Sequence, residues 1–404
     1  MSNIILFTEK SQCCACGACM NVCSKNAISM EKDEYGFIYP FIDKEKCISC
    51  GICKTICAYQ SIQETNTPKK AYVAMSKDNN LLMKSASGGI FSTIAQEVLN
   101  RNGIIFGCSL EFEHNILIPK HIKIEDFNNL YKLQGSKYVQ SSIEYTYREV
   151  KMALQENRLV LFSGTPCQVA GLKSFLNNKN YTNLLTIDII CHGVPSADFF
   201  QSYIKELENN IKGKIISFNF REKSVGWKLK GSISYSKNKR LKKKLIHVNL
   251  SSYYKLFLTS AIYRENCYTC KYANCNRPGD ITIGDYWGIE KEHPEFLTIN
   301  DGEMDKNKGI SCIIVNTNKG IDLIDKLGIN INLKSSTYEK ISNGNKQLKY
   351  PSELNPQRNK ILELYKNYGY SAVDKYYFQK LGLKKYLYLI QEIIYEIYDE
   401  YSKK

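Results

Sequence analysis

Cys13, Cys16, Cys19 and Cys23 stand at C-x2-C-x2-C-x3-C spacing, and Cys47, Cys50, Cys53 and Cys57 repeat it, each run with a glycine directly after its second cysteine. Thiolates at this spacing do redox chemistry on iron: three of the four wrap one 4Fe–4S cube, while the fourth projects to a partner cube. The expected ligand sets are therefore Cys13, Cys16, Cys19 and Cys57 for one cluster, and Cys47, Cys50, Cys53 and Cys23 for the other. The proline that commonly follows the fourth cysteine is replaced by Ser24 and Ala58, which changes only the stiffness of the exit. C-x2-C pairs also serve zinc, but a duplicated four-cysteine run favours paired cubes. A radical-forming C-x3-C-x2-C pattern fails, because Asn26 and Gln60 stand where its third cysteine belongs. Cys14 is left as the odd thiol.

A second set is dispersed. Cys167 and Cys191 each lie just past the carboxyl end of an apolar run, immediately before a helical pattern. Parallel strands bring such ends to one edge, where α/β proteins build their sites. Cys267 and Cys270 add a C-x2-C pair, and Cys275 is a spare. These four suit a third cluster, while buried thiols and a zinc or solvent-facing pair remain the plainer alternatives. Cys108 and Cys312 sit inside apolar strands and are expected in the core. His192, next to Cys191, is a candidate proton donor to a substrate or simply a loop-bonding imidazole.

The elements that must position these residues alternate. AIS and YGFIYPFID between the cysteine runs read as short strands, in a small unit stapled by metal rather than by a large core. The polar residues 63–70 read as a linker. Then AYVAM, GIIFGCSLEF, LVLFS and LLTIDII read as strands, with helices after SGG, GTPCQ and CHGVPS. The face of the first helix is Ile90, Ile94, Ala95 and Val98. Antiparallel strands follow in ISFNFREK, GSISYS and KLIHVNL, and residues beyond 330 read as mostly helical, ending in amphipathic KKYLYLIQEIIYEIYDEY. The predicted class is mixed α+β and α/β: a ferredoxin-like module (1–62), an α/β region in two parts (70–150 and 155–328) and a helical tail (329–404).

Composition agrees with a folded, multi-domain chain: 404 residues, 43% hydrophobic and 24% charged. Nothing resembles a signal peptide, and no apolar run is long enough to span a membrane, so the expectation is a cytoplasmic protein with no transmembrane segment. Nine of the sixteen cysteines precede residue 58, which suits metal ligands better than a disulfide scaffold. The formal charge is +15, and three cubes of about −2 each would bring it to roughly +9. KNKRLKKK (237–244) concentrates the basic excess and reads as a solvated hairpin tip, with docking of an acidic ferredoxin or an anionic substrate tail as its functional reading. Nucleic-acid binding is not expected, since no aromatic platform or known module accompanies the run.

SASGGIF, QGSKYVQS, FSGTPCQVAGLK, CHGVPS, NFREKSVGW, RENCYTCKYA and DITIGDYWG, in this order between about residues 70 and 316, resemble the beta subunits of coenzyme F-420-dependent hydrogenases and dehydrogenases, here behind a dicluster ferredoxin module. The resemblance implies FAD and a 4Fe–4S cluster in the α/β region, the latter at Cys167, Cys191, Cys267 and Cys270. No G-x-G-x-x-G follows a strand, so a Rossmann-type dinucleotide site has no support. Ser87, Gly88 and Gly89 at a helix start could admit a diphosphate to exposed N–H groups, or be a plain capped helix start. Gly135, Ser136 and Lys137 offer hydroxyl, amide and cation, and Gly164 and Thr165 lie beside Cys167. The resemblance assigns all three segments to the flavin pocket. Asp285 and Trp287 in GDYWG would shape it, or Trp287 would only pack.

The implied activity is an iron–sulfur flavoprotein oxidoreductase. It would pass electrons between two N-terminal clusters, a third cluster and FAD, and reduce an organic substrate or deazaflavin-type coenzyme with ferredoxin-level electrons. The alternative is an electron-transfer subunit of a larger hydrogenase- or dehydrogenase-like complex. Expected partners are ferredoxin or another redox protein and a small-molecule or hydride-carrier substrate, with the chain itself a homo-oligomer or part of a complex. Replacing Cys16 by alanine is expected to remove about four irons per chain, read by colorimetric iron analysis; an unchanged iron content would discard the pairing of the two runs.

Overall fold

The computed structural model describes residues 4–61, 65–224 and 226–391. Part of the linker and of the amphipathic C-terminal stretch (392–401) lies outside the described residues, as does Val225 of the NFREKSVGW run. In the N-terminal module, β1 (Ile28–Lys32) and β2 (Ile38–Ile42) form an antiparallel pair. Each cysteine run enters a short helix, α1 (Ala18–Val22) or α2 (Ile52–Thr55), through a glycine at positive φ, Gly17 or Gly51. Only a residue without a Cβ adopts that conformation cheaply, which explains the glycine after each second cysteine.

The body of the protein is one eight-stranded sheet. Its strands are β3 (Lys70–Ser76), β4 (Ile104–Glu113), β5 (Ile116–Ile124), β6 (Val160–Gly164) and β7 (Leu184–Ile189), followed later by β11 (Ile281–Asp285), β12 (Ser311–Val315) and β13 (Ile331–Ser336). The order is β13-β3-β12-β11-β7-β6-β4-β5. The four central strands β4, β6, β7 and β11 run parallel, and antiparallel strands close both sides. Side chains alternate as the pleat demands. Ile105 and Leu161 face a core with Ile90, Ile94 and Val98 of helix α3 (Ile90–Asn100). Ile104, Phe106, Val160 and Phe162 face the other core, with Tyr147 and Val150 of helix α4 (Thr146–Gln155) and Val169 and Leu172 of helix α5 (Pro166–Phe175).

A separate three-stranded antiparallel sheet, order β10-β9-β8, holds β8 (Lys214–Asn219), β9 (Lys230–Lys237) and β10 (Arg240–His247). The basic run thus spans the tip of the β9–β10 hairpin and continues along one of its strands. Asn238 and Lys239, at positive φ, make the turn, and Arg240 to Lys244 lie on the exposed edge strand. Charged side chains along an edge discourage pairing with another chain. Residues beyond 330 also depart from the helical expectation. β13 adds to the main sheet beside β3 before helix α6 (Arg358–Leu381) begins. Nor are residues 65–69 a loose tether, since Asn66 and Arg277 exchange both backbone bonds, at 2.8 and 2.9 Å.

The module is not hung on a linker; it shares a core with the body. Cys14, Cys16, Ala18, Ile56 and Tyr59 pack in the same cluster as Phe106, Tyr147 and Val169. Polar contacts follow the same seam: Ser174 Oγ donates to Ile56 O at 2.6 Å, Arg148 Nε to Asn21 O at 2.7 Å and Tyr272 Oη to Ala58 O at 2.7 Å.

One buried ion pair ties the centre of the sheet to the chain that carries Cys267 and Cys270. Arg277 Nη2 lies 2.6 Å from Asp188 Oδ1, with both side chains essentially inaccessible. Asp188 also accepts from Thr282 Oγ1 and the Gly279 N–H, and Arg277 donates to the carbonyls of Tyr272 and Ile189. Removing one partner leaves the other buried and uncompensated. Asp188→Asn is therefore expected to lower stability by about 3–5 kcal/mol, read as a lower denaturation midpoint with unchanged slope.

Candidate functional site

The parallel strands deliver their carboxyl ends to one edge of the sheet. β6 runs through Gly164 and Thr165 into Cys167, β7 through Ile190 into Cys191 and His192, and β11 through Asp285 towards Trp287. That edge opens into a cavity of about 410 Å³, within the usual range for a small-ligand or cofactor site. Its walls include Ser87, Gly89, Gly135, Ser136, Lys137, Gly164 and Thr165, so the three segments expected to converge there do so.

Twelve of the thirteen cysteines with a ligand role or next to one fall into three groups, seen in which thiols feel one another. The Cys19 thiol is held well above its ordinary value by burial, then by Cys16, Cys13 and Cys57. These four line a small cavity of about 30 Å³. The Cys53 thiol is raised by burial, then by Cys50, Cys23 and Cys47. The Cys191 thiol is raised by burial, then by Cys267, Cys167 and Cys270. Cys23 thus stands near the second run and Cys57 near the first, while Cys16 also feels Cys167 of the dispersed set. Among the described residues, no group of three or more His, Cys, Asp or Glu side chains could hold a metal ion. A cube takes one thiolate at each of its corners rather than several around a single ion, so mutual influence between thiols and a mononuclear site are different geometries.

Cys14, the thirteenth, is buried, and the neighbouring Cys16 and Cys167 thiols push it up while it draws them down. Cys275 is exposed and joins no group. Cys312 lies in the core as expected, but Cys108 does not. It shares the face of Phe106 further along β4, where the core gives way to the cavity, and it lines that cavity.

Several local roles differ from those the sequence suggested. The helix start after SGG is capped by Gly89, at positive φ and without a side-chain cap, so the first N–H groups of α3 meet no capping side chain. Ser87 Oγ instead donates to Ile310 O at 2.8 Å, and the Gly88 N–H donates to Ser311 Oγ at 2.9 Å. Lys137 lines the cavity, yet its ammonium donates to the carbonyls of Lys132 and Gln134 at 3.0 and 2.8 Å, and burial pulls its pKa down to about 8. Thr165 Oγ1 bonds Cys167 Sγ at 3.1 Å and Gln168 Oε1 at 3.0 Å. The His192 ring opens onto the cavity; burial lowers its pKa, partly offset by Asp285.

The cavity has a cationic, aromatic corner, of which the sequence singled out Asp285 and Trp287 but not Arg221 or Trp227. Arg221 Nη1 donates to Asp285 Oδ2 at 2.9 Å, while Arg221 Nε and Nη2 are buried without a partner. Trp227 Nε1 donates to Asp285 Oδ1 at 3.2 Å, and its ring stacks on Trp287 at 4.9 Å. Trp287 thus both packs and walls the cavity. Lys223 donates to the carbonyls of Leu82 and Ser87, and burial pulls its pKa down to about 7. Asn266, whose Oδ1 is also unpartnered, lines the cavity beside Cys267. The signal available in the sequence was the density of charge and tryptophan in NFREKSVGW and GDYWG.

Residues 157–340 match the family described as the C terminus of the beta subunit of coenzyme F420 hydrogenase/dehydrogenase. Residues 12–61 match the 4Fe-4S dicluster domain. No curated protein matches the chain. A chain in a solved structure of the xenon-derivatized F420-reducing [NiFe] hydrogenase complex from Methanosarcina barkeri is 15% identical, over 80% of this chain and 94% of that one, with a TM-score of 0.44.

The wall beneath Ser87 leaves no room for a side chain at residue 88, where a Cβ would stand 2.5 Å from Ala74 O and 2.6 Å from the Ser311 nitrogen. Gly88→Ala is expected to cost about 1–3 kcal/mol, measured by chemical denaturation.

Proposed function

We infer, from a chain that joins a 4Fe-4S dicluster domain to the C-terminal domain of the coenzyme F420 hydrogenase/dehydrogenase beta-subunit family, that this protein is an iron–sulfur flavoprotein oxidoreductase. In this reading it reduces an organic substrate or a deazaflavin-type coenzyme with electrons of ferredoxin level. The observation that carries the reading is the meeting of one cysteine group with one cavity: Cys167, Cys191 and Cys267 line the same space as Ser87, Gly135 and Gly164.

The residues present fit the groups they would hold. Cys13, Cys16, Cys19 and Cys57, then Cys47, Cys50, Cys53 and Cys23, then Cys167, Cys191, Cys267 and Cys270 would ligate three 4Fe–4S clusters. Burial keeps Cys13 and Cys267 protonated at neutral pH, at about 11 and about 12, so binding iron would release their protons. On the cavity side, the unpartnered Arg221 nitrogens and Asn266 Oδ1 are polar groups that a cofactor such as FAD would satisfy. Ser87, Gly89, Gly135, Ser136, Lys137, Gly164 and Thr165 would form its walls, whereas Gly88, also expected there, packs against Ser311 and Ala74 instead. When bound, the cubes supply one-electron transfer and FAD the exchange of single electrons for hydride.

The chain's own residues do the rest. Tyr263, Phe257 and Trp287 on the cavity wall exclude water. Asp285 holds Arg221 and Trp227 in place from one carboxylate. His192, the one imidazole on the cavity wall among the described residues, is placed to give a proton to a bound substrate.

A second reading, the electron-transfer subunit of a larger complex, is favoured by a different observation. Leu383, Tyr386, Leu387 and Ile390 near the C-terminus are all more than half exposed, an apolar strip that a partner would cover. Among the described residues no helix is long and apolar enough to cross a membrane.

Anaerobic purification with iron, sulfide and flavin analysis is expected to give about twelve irons and one FAD per chain. Turnover of a small acceptor by the isolated chain, with reduced ferredoxin as donor, separates the readings: activity supports the reductase, and activity only with a co-purifying partner supports the electron-transfer role. About eight irons without flavin would overturn both.

A further inference from the structure

We propose that Arg264 is the shared counter-charge of the first and third cysteine groups, a positioning residue that raises the reduction potentials of both centres across the partition formed by Cys13 and Cys14. The inference rests on the reading that these groups carry iron–sulfur clusters.

Cys14 is the one residue lining both the small cavity of the first group and the large cavity. Arg264 fixes the backbone of this wall. Its Nε donates to Cys13 O at 2.9 Å, and its Nη1 to Gln140 Oε1 at 3.4 Å. Gln140 Nε2 in turn donates to Cys14 O at 3.4 Å.

Arg264 is entirely buried, and of the four buried arginines it and Arg358 have no carboxylate partner among the described residues. Arg221 has Asp285 and Arg277 has Asp188. Arg264 has backbone and amide acceptors and the Tyr39 ring, 4.0 Å from its Cζ, and its Nη2 has no partner among the described residues. A guanidinium buried in this way is costly unless an anion lies beside it. Arg264 stands beside both groups: its Nε donates to Cys13 O, and its own carbonyl accepts from the Cys267 N–H at 3.0 Å. Four thiolates on either side would supply the missing anion, and Nη2 the donor to a cluster sulfur. Reduction adds one electron, hence one negative charge, to a centre. A fixed cation in a low-dielectric interior stabilises that reduced form, as hydrogen bonds to cluster sulfurs do. The second group, Cys23, Cys47, Cys50 and Cys53, has no hydrogen bond or ion pair with Arg264 among the described residues and serves as a control inside the same molecule.

The test is an EPR-monitored redox titration of the anaerobically purified full chain. Arg264→Gln is expected to lower the reduction constants of two centres about tenfold, ~59 mV for a one-electron couple, and to leave the third in place. Gln140→Glu keeps the side chain's shape while setting a carboxylate against Nη1. It should move the same two centres in the same direction, and it decides the matter alone if Arg264→Gln fails to load iron. Full iron with unmoved potentials in Gln140→Glu and in any iron-loaded Arg264→Gln, or an equal shift in all three centres, overturns the proposal and leaves the functional reading intact. A wild-type chain lacking iron at these groups fails the functional reading itself, and the proposal with it.

Discussion

The close approach of helix α5 to Cys16 is the constraint on which the centre of this protein depends. A Cβ at Gly171 would stand 2.8 Å from Cys16 Cβ and 2.9 Å from both Cys16 Sγ and Tyr147 Oη. With no side chain there, the first cysteine run lies directly on the helix that carries Cys167 in its first turn. That contact sets Cys14 on the walls of both cavities. It also lets a small module, whose own buried cluster is Leu6, Met20, Ile28 and Cys53, share the core of the sheet. The module and the body are distinct in sequence and continuous in packing.

Charge is buried around this junction in two ways. Asp188–Arg277 is an ion pair with its remaining donors and acceptors satisfied by Gly279, Thr282, Tyr272 and Ile189. It holds the strand leading to Cys191 against the chain that leaves Cys270. Arg264, Lys137 and Lys223 have no such carboxylate, and backbone carbonyls take most of their hydrogen bonds. Desolvation disfavours the charged form of each lysine, drawing Lys137 down to about 8 and Lys223 to about 7. A guanidinium does not release its proton so readily, so at Arg264 the charge stays and shapes what can sit beside it.

The cavity inherits its two-sided character from the sheet. Its cysteine side is built from strand ends, where backbone geometry is set by the parallel ladder. Its arginine and tryptophan side comes from the loop after β8 and the loop after β11, held together by one carboxylate, Asp285. The first is suited to holding a cofactor in one position; the second, made of longer side chains on loops, is where variation in ligand would be accommodated.

By itself the sequence determined what depends on neighbours along the chain. The cysteine spacing named the two N-terminal groups, because the reach of a thiolate within a run is a matter of a few residues, while the dispersed third set was what the family resemblance implied. The alternation of apolar residues placed the central strands and the helices after them. Local pattern failed where the answer lay far away. β13 was read as helix because its strand character comes from pairing with β3, more than 250 residues earlier. Cys108 was read as core because one strand's alternation does not say where the sheet's carboxyl edge opens. Arg264 and Cys14 looked unremarkable, since their meaning lies in contacts across 251 and 126 residues, to Cys13 and from Gln140. Only the tertiary structure brings a buried cation and a spare thiol between two groups of ligands, because packing, not spacing, decides which distant charges share one dry interior.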